Sequence, residues 1–127
     1  MSIMLQTVVV DTSALISVFE RRLSLESQLR ELAGDCRIVV PSAVRVELSR
    51  MDSHAARAAS ALSARYDVYE CGKRGDEGVI EAATSIGAFA VVTNDSILAD
   101  RLVSRGIRVI RMKGEKRFAF YRSDEVQ

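Results

Sequence analysis

The chain has 127 residues, 48% hydrophobic and 28% charged, with a formal net charge of +1 and two cysteines. This is enough for one domain with its own core, residues 1–127 together, and it excludes intrinsic disorder. No apolar run reaches the about 18 residues of a membrane span, MSIMLQTVVVD lacks the basic start of a signal peptide, and Cys36 and Cys71 are too few for a disulfide framework, so a reducing, cytoplasmic setting away from membranes is expected.

Residues 5–10, LQTVVV, form a β-branched run that predicts a strand ending at Asp11. Helices are predicted over 13–22, with Leu15, Ile16 and Phe19, and over 24–33, stopped by Gly34. Residues 37–40, RIVV, form a buried-type strand, and Pro41-Ser42 opens a helix carrying Val44, Val46 and Leu48. An alanine-rich helix covers 54–65, and 66–70, YDVYE, alternates as a strand does. Gly75-Asp76 opens a helix closed by Gly87, followed by a strand at 88–93. Asp95-Ser96 caps a helix closed by Gly106, a strand follows at 107–112, and 117–121, RFAFY, supplies a further edge strand. The last residues, SDEVQ, are expected to fray. Strands alternating with helices, their cores nearly continuous Val and Ile, predict an α/β fold with a parallel sheet covered on both faces.

The net charge hides an asymmetry. Residues 101–122 carry eight basic groups against Glu115 alone, a net +7, and the rest of the chain has 10 basic and 16 acidic groups, a net −6. Fifteen of the eighteen basic residues are Arg, whose planar fork matches phosphate. A phosphate-binding end and a set of solvated helix and strand faces both account for this pattern.

The acids are more specific. In an open parallel sheet, ligands sit beyond the carboxyl ends of the strands, where the strand order reverses. Asp11 and Asp95 each follow a strand, Asp76 and Glu77 open the helix before the fourth strand, and Glu47 lies about two turns into the helix after the second. Taken singly, Asp11, Asp76 and Asp95 are natural helix caps. Gathered together they need a cation, because two carboxylates about 4 Å apart repel by about 4 kcal/mol at an effective dielectric of about 20. Carboxylate oxygens without His or Cys select Mg²⁺ or Mn²⁺. An ion held in this way activates water and stabilises the leaving oxygen in phosphodiester cleavage.

These segments resemble the PIN domain, a family of small metal-dependent ribonucleases. VVVDTSALI (8–16) is similar to its opening strand and first acid. PSAVRVELSR (41–50) is similar to the segment of the second, GDEGVIEAATSIGAFAVVTND (75–95) to that of the third and fourth, and LADRLVSRGIRVI (98–110) to the helix and strand that follow. The resemblance implies a three-layer α/β/α fold with a central parallel sheet in the order 3-2-1-4-5. It implies Asp11, Glu47, Asp76 and Asp95 as catalytic, Mg²⁺- or Mn²⁺-binding residues. Glu77, eighteen residues before Asp95, is the alternative third acid, and the GD context, like that of archaeal relatives of the ribosomal-RNA-processing PIN proteins, favours Asp76. Thr12, Ser13, Thr93 and Asn94 offer further oxygens, and Asp100 lies a turn and a half beyond the site.

The implied activity is endonucleolytic hydrolysis of single-stranded or structured RNA; the C-terminal run MKGEKRFAFY resembles the branch that acts in RNA processing, and a VapC-type toxin is the alternative. The implied partners are RNA, a second copy docked through the apolar helices at 13–33, and an antitoxin or a ribosome-assembly partner. A catalytically silent RNA-binding module is a further reading, weakened by the retention of all four acids. Phosphoacceptor chemistry at Asp11 fits poorly: Ser13 stands where a haloacid-dehalogenase pattern wants a second Asp, and Glu70-Cys71 where a receiver pattern wants its acceptor. His54 is expected at the surface, and both cysteines as small fillers.

Overall fold

A computed structural model describes residues 5–121. Its elements run β1 (Gln6–Val10), α1 (Thr12–Glu20), α2 (Leu25–Ala33), β2 (Cys36–Pro41), α3 (Ser42–Ser49), α4 (His54–Ser63), β3 (Asp67–Tyr69), α5 (Gly75–Ile86), β4 (Ala90–Val92), α6 (Ser96–Ser104), β5 (Arg108–Lys113) and β6 (Arg117–Tyr121). They form one six-stranded sheet in the order β3-β2-β1-β4-β5-β6, flanked by helices. The first five strands are parallel and take the expected order. β6 turns back through Gly114, at φ +73°, and pairs antiparallel with β5, so the sheet is mixed rather than wholly parallel. The expected fraying at SDEVQ falls outside the described residues.

The central strands explain the layered form. Val8, Val9 and Val10 of β1 and Ala90, Val91 and Val92 of β4 are wholly buried, because helices cover both faces. On the helices the apolar spacing sets the buried stripe. Val44 and Leu48, four residues apart, are buried in α3, whereas Val46 is 44% exposed. Val46 turns away from the other two because residues two apart on a helix diverge. α5 packs on β1, β2 and α3, and α1 packs on α3 and α4. Arg45 ties α3 to the end of α4 by donating to the carbonyls of Ser63 (2.9 Å) and Tyr66 (3.1 Å).

The cysteines occupy opposite ends of neighbouring strands, Cys36 opening β2 and Cys71 just beyond β3, and both thiols are free. His54 is exposed at the start of α4, as expected. No helix among the described residues is long and apolar enough to cross a membrane.

Candidate active site at the carboxyl edge of the sheet

β1 and β4 are paired, and the chain leaves β1 toward β2 on one side and returns at β4 on the other. This is the reversal point where a parallel sheet opens a crevice. Asp11 follows β1 and Asp95 lies three residues beyond the end of β4, so the topology alone sets both acids on this edge.

The Asp11 carboxylate is buried and held from one side. Its Oδ2 accepts from Thr93 Oγ1 at 2.7 Å and from Ser13 Oγ at 3.1 Å. The same two hydroxyls take backbone donors: Ser13 Oγ accepts from Asn94 N–H at 2.9 Å, and Thr93 Oγ1 from Asp95 N–H at 3.1 Å. Asn94 Oδ1 accepts from Met112 N–H at 2.9 Å, which locks the turn after β4 onto β5. Ser13, Thr93 and Asn94 therefore build the wall behind Asp11. Among the described residues no side-chain donor reaches its other oxygen, Oδ1, and the Thr12 backbone N–H is a further donor to this carboxylate. Burial pushes this carboxyl above the ordinary aspartate range, the Thr93 and Ser13 donors pull it partly back, and the charge of Glu47 raises it again.

Asp11, Thr12, Glu47 and Asp76 line one small pocket of about 10 Å³, the room of about one water. Glu47 reaches it from the exposed last turn of α3, and half-buried Asp76 from the first turn of α5. Burial pushes the Asp76 carboxyl up, the charge of Asp95 adds to the rise, Arg101 opposes it, and Glu47 adds again. Asp95 stands beside the pocket rather than in its lining. Its Oδ1 caps α6, accepting from Ile97 N–H (2.9 Å) and Leu98 N–H (3.1 Å).

The two candidates for the third acid part company. Asp76 faces the pocket, and Glu77 pairs with Arg101. Gly78 makes this placement feasible: a Cβ there would lie 2.6 Å from the Lys73 carbonyl oxygen and 2.7 Å from Ala43 Cβ. Gly75, at φ +57°, supplies the left-handed turn into α5. Asp100 accepts from the Tyr121 hydroxyl at 2.8 Å, away from the acids.

The donor chemistry suits a hard divalent cation. Three carboxylates border the pocket with no His or Cys, and the buried Thr12 Oγ1 has no hydrogen-bond partner. Among the described residues no three acidic, His or Cys side chains already converge to ion-binding spacing. The acids share a pocket without closing on it.

The basic stretch at 101–122 does not form one face. Arg101 pairs with Glu77, and Arg108 lies 4.5 Å over the Phe89 ring at the amino end of β5. Arg111 donates to Asn94 O and Ser96 Oγ, and Lys116 donates to Arg21 O. Arg122 lies outside the described residues. Successive strand residues point to opposite faces, which scatters charges that sequence proximity had grouped. Sequence reasoning missed the position of Arg101 beside the acids. It also missed Arg50, Lys73 and Arg74, which line a larger pocket next to Glu47. The Lys73-Arg74 pair just ahead of Gly75-Asp76 was the available signal for the latter.

A family model described as "PIN like domain" matches residues 8–115. Ribonuclease VapC9 of Archaeoglobus fulgidus is 34% identical over 116 residues, covering 86% of this chain and 84% of that protein. The solved structure of the PIN domain endonuclease Utp24 superposes with a TM-score of 0.78 at 19% identity, covering 91% of each chain. At that identity the match speaks to the fold.

Proposed function

The chain belongs to the PIN-like domain family, and from that premise we propose that it is a Mg²⁺- or Mn²⁺-dependent endoribonuclease whose reaction centre is the pocket of Asp11, Glu47 and Asp76. One observation carries this reading: Asp11 is buried at the sheet's reversal point, its carboxylate is not used as a cap, and two further carboxylates border the same pocket. Ribonuclease VapC9, the relative in sequence, supports RNA as the substrate.

Asp11, Glu47 and Asp76 would hold the ion, with Asp95 adding negative charge beside them. The ion supplies charge that acidifies a water and neutralises the oxygens of the scissile phosphate. The chain's own groups do the rest. Thr93 and Ser13 fix Asp11 through Oδ2, so its carboxylate would be held in place to bind the ion. The Thr12 hydroxyl, which has no other partner, orients the water. Glu47, the most exposed of the three, accepts the proton that the water loses as its oxygen bonds to phosphorus. The bond to the leaving ribose oxygen breaks, and that oxygen takes up a proton from solvent water.

The test is cleavage of a labelled single-stranded RNA with Mn²⁺, with EDTA, and by Asp11→Asn. Cleavage that needs Mn²⁺ and disappears in the variant supports the reading. Metal-independent cleavage, or RNA binding without cleavage, replaces it with another nuclease chemistry or with the silent module.

RNA processing is one setting for this activity, and a VapC-type toxin silenced by an antitoxin is a second. The identity with ribonuclease VapC9 favours the second. Expression that arrests growth, and is relieved by the product of a neighbouring small reading frame, identifies the toxin.

A further inference from the structure

Beside the acid pocket lies a second cavity of about 590 Å³, between α3 and the loop that leads into α5. It shares Ala43, Glu47 and Gly75 with the acid pocket, so the two are adjacent. Its lining combines two chemistries. Val46 and Met51 present apolar side chains that are 44% and 40% exposed. Arg50, Lys73 and Arg74 are exposed cations, and none forms an ion pair among the described residues. Single exposed apolar residues are ordinary. Two of them in one concavity, with three unpaired cations, match an apolar ring joined to phosphates.

We propose that this cavity seats one nucleotide of a single-stranded RNA next to the bond cleaved at the acids, with the base against Val46 and Met51 and the phosphates at Arg50, Lys73 and Arg74. The assignment rests on the ribonuclease reading above and adds the residues that would seat the nucleotide beside the cleaved bond. A base can lie on Val46 and Met51 only when its face is free. An A-form duplex hides base faces in the stack and presents a shallow minor groove, whereas a single strand splays its bases. Nonspecific grooves for single strands combine a cationic track with side chains, commonly aromatic, that carry base faces; in this cavity the aliphatic Val46 and Met51 take that place. The Ser42 hydroxyl at the back of the cavity already accepts from Cys71 N–H at 2.8 Å, so it is committed to the fold, and recognition here is of shape and charge.

The experiment measures affinity in an Asp11→Asn background, with a fluorescent single-stranded RNA and a duplex of the same sequence, across a salt series. Replacing Arg50, Lys73 and Arg74 by Gln is expected to flatten the slope of log K against log salt by about 2, since each lost single-strand contact removes about 0.7. A control replacing Arg30, Arg37 and Arg108 by Gln removes equal charge at the opposite, amino edge of the sheet and is expected to leave the slope nearly unchanged. Val46→Ser with Met51→Ser is expected to weaken binding about fivefold with the slope intact, because these exposed side chains contribute apolar area and no charge. Equal slopes in the cavity and control variants, or duplex bound as tightly as single strand, overturn the proposal. Wild type that cleaves RNA while the cavity variants keep its affinity and slope removes the cavity alone. Wild type that neither binds nor cleaves RNA removes the ribonuclease reading with it.

Discussion

The turns β1–α1 and β4–α6 look alike in sequence and do different work. Each leaves a buried valine-rich strand, the two strands are neighbours, and each places an Asp at the N-cap of the next helix. Asp95 caps: its Oδ1 takes the N–H groups of Ile97 and Leu98. Asp11 does not. Its side chain makes no cap bond, and it is 8% exposed. A cap contributes about 1 kcal/mol and explains an Asp without any appeal to function. A buried carboxylate with no cap and no cation beside it costs stability, and such a group marks a site built for something else. Equal sequence signals therefore separate once the hydrogen-bond partners are known.

The strongest way to break this contrast is Asp11→Asn. Cleavage should fall about a hundredfold or more, since several kcal/mol of charge stabilisation depend on that ligand. Stability without metal should move the other way. An aspartate raised above its unfolded value of about 3.9 contributes stability below that pH and loses it as pH rises through the folded value. The Asn variant has no such loss. Its melting midpoint should exceed that of wild type at neutral pH, with the gap closing in acid. Added Mg²⁺ should stabilise wild type more than the variant, because binding only the folded form shifts unfolding by mass action. Equal responses to Mg²⁺ would return Asp11 to the status of Asp95.

Gly78→Ala tests whether α5 must lie where it does to bring Asp76 to Asp11. The added methyl meets the Lys73 carbonyl and Ala43 Cβ well inside contact distance. Overpacking of this kind costs about 1–3 kcal/mol. Urea denaturation should show that loss, with cleavage falling as Asp76 is displaced. An unperturbed midpoint would mean that α5 has slack.

Much of this was legible beforehand. The five parallel strands and their helices follow from continuous Val and Ile runs punctuated by Gly34, Gly87 and Gly106, since period and breakers are local properties, whereas the order of the strands was implied only by the resemblance to the PIN domain. Asp11, Asp76 and Asp95 could be set on one edge because strand direction fixes which end they follow. Three features were not legible. Val46 faces out because helix phase, rather than apolarity, decides burial. The cations at 101–122 scatter because successive residues of a strand face opposite ways. The division of labour between Asp11 and Asp95 depends on Thr93 and Ser13, and the Thr93–Asp11 contact spans 82 residues, a separation that local pattern does not encode.

Asp95 itself sharpens the contrast at a smaller scale. Asp95→Ala removes the cap and should cost about 1 kcal/mol in a thermal or urea melt. Asp95→Asn keeps the cap, because Asn caps about as well as Asp, and removes only the charge. Its stability should match wild type, with cleavage reduced about tenfold, less than in Asp11→Asn, because Asp95 adds charge beside the pocket rather than lining it. If the Asn variant cleaves at the wild-type rate, Asp95 is a cap and nothing more.

The smallest effect is expected at Glu77, and it turns on two adjacent residues with opposite pH signs. Glu77 hydrogen-bonds and pairs with Arg101, which holds its carboxyl below the usual glutamate range. That contribution is present above the unfolded value of about 4.3 and disappears as pH falls through the folded value. Asp76 is raised, chiefly by burial and then by Asp95, so its contribution runs the other way and is lost as pH rises. Glu77→Gln should therefore lower the melting midpoint slightly at neutral pH, with the difference vanishing in acid. Asp76→Asn should raise the metal-free midpoint at neutral pH, and that difference should also vanish in acid. Glu77 is exposed, so water screens its pair with Arg101 and the change in midpoint should be small. Cleavage should stay within about twofold in Glu77→Gln, whose side chain faces Arg101, and collapse in Asp76→Asn, whose side chain faces the pocket. Melts of both variants at acid and neutral pH, read beside their cleavage rates, identify the third acid by the sign of one difference and the size of the other. Loss of cleavage in Glu77→Gln with retention in Asp76→Asn would exchange their roles.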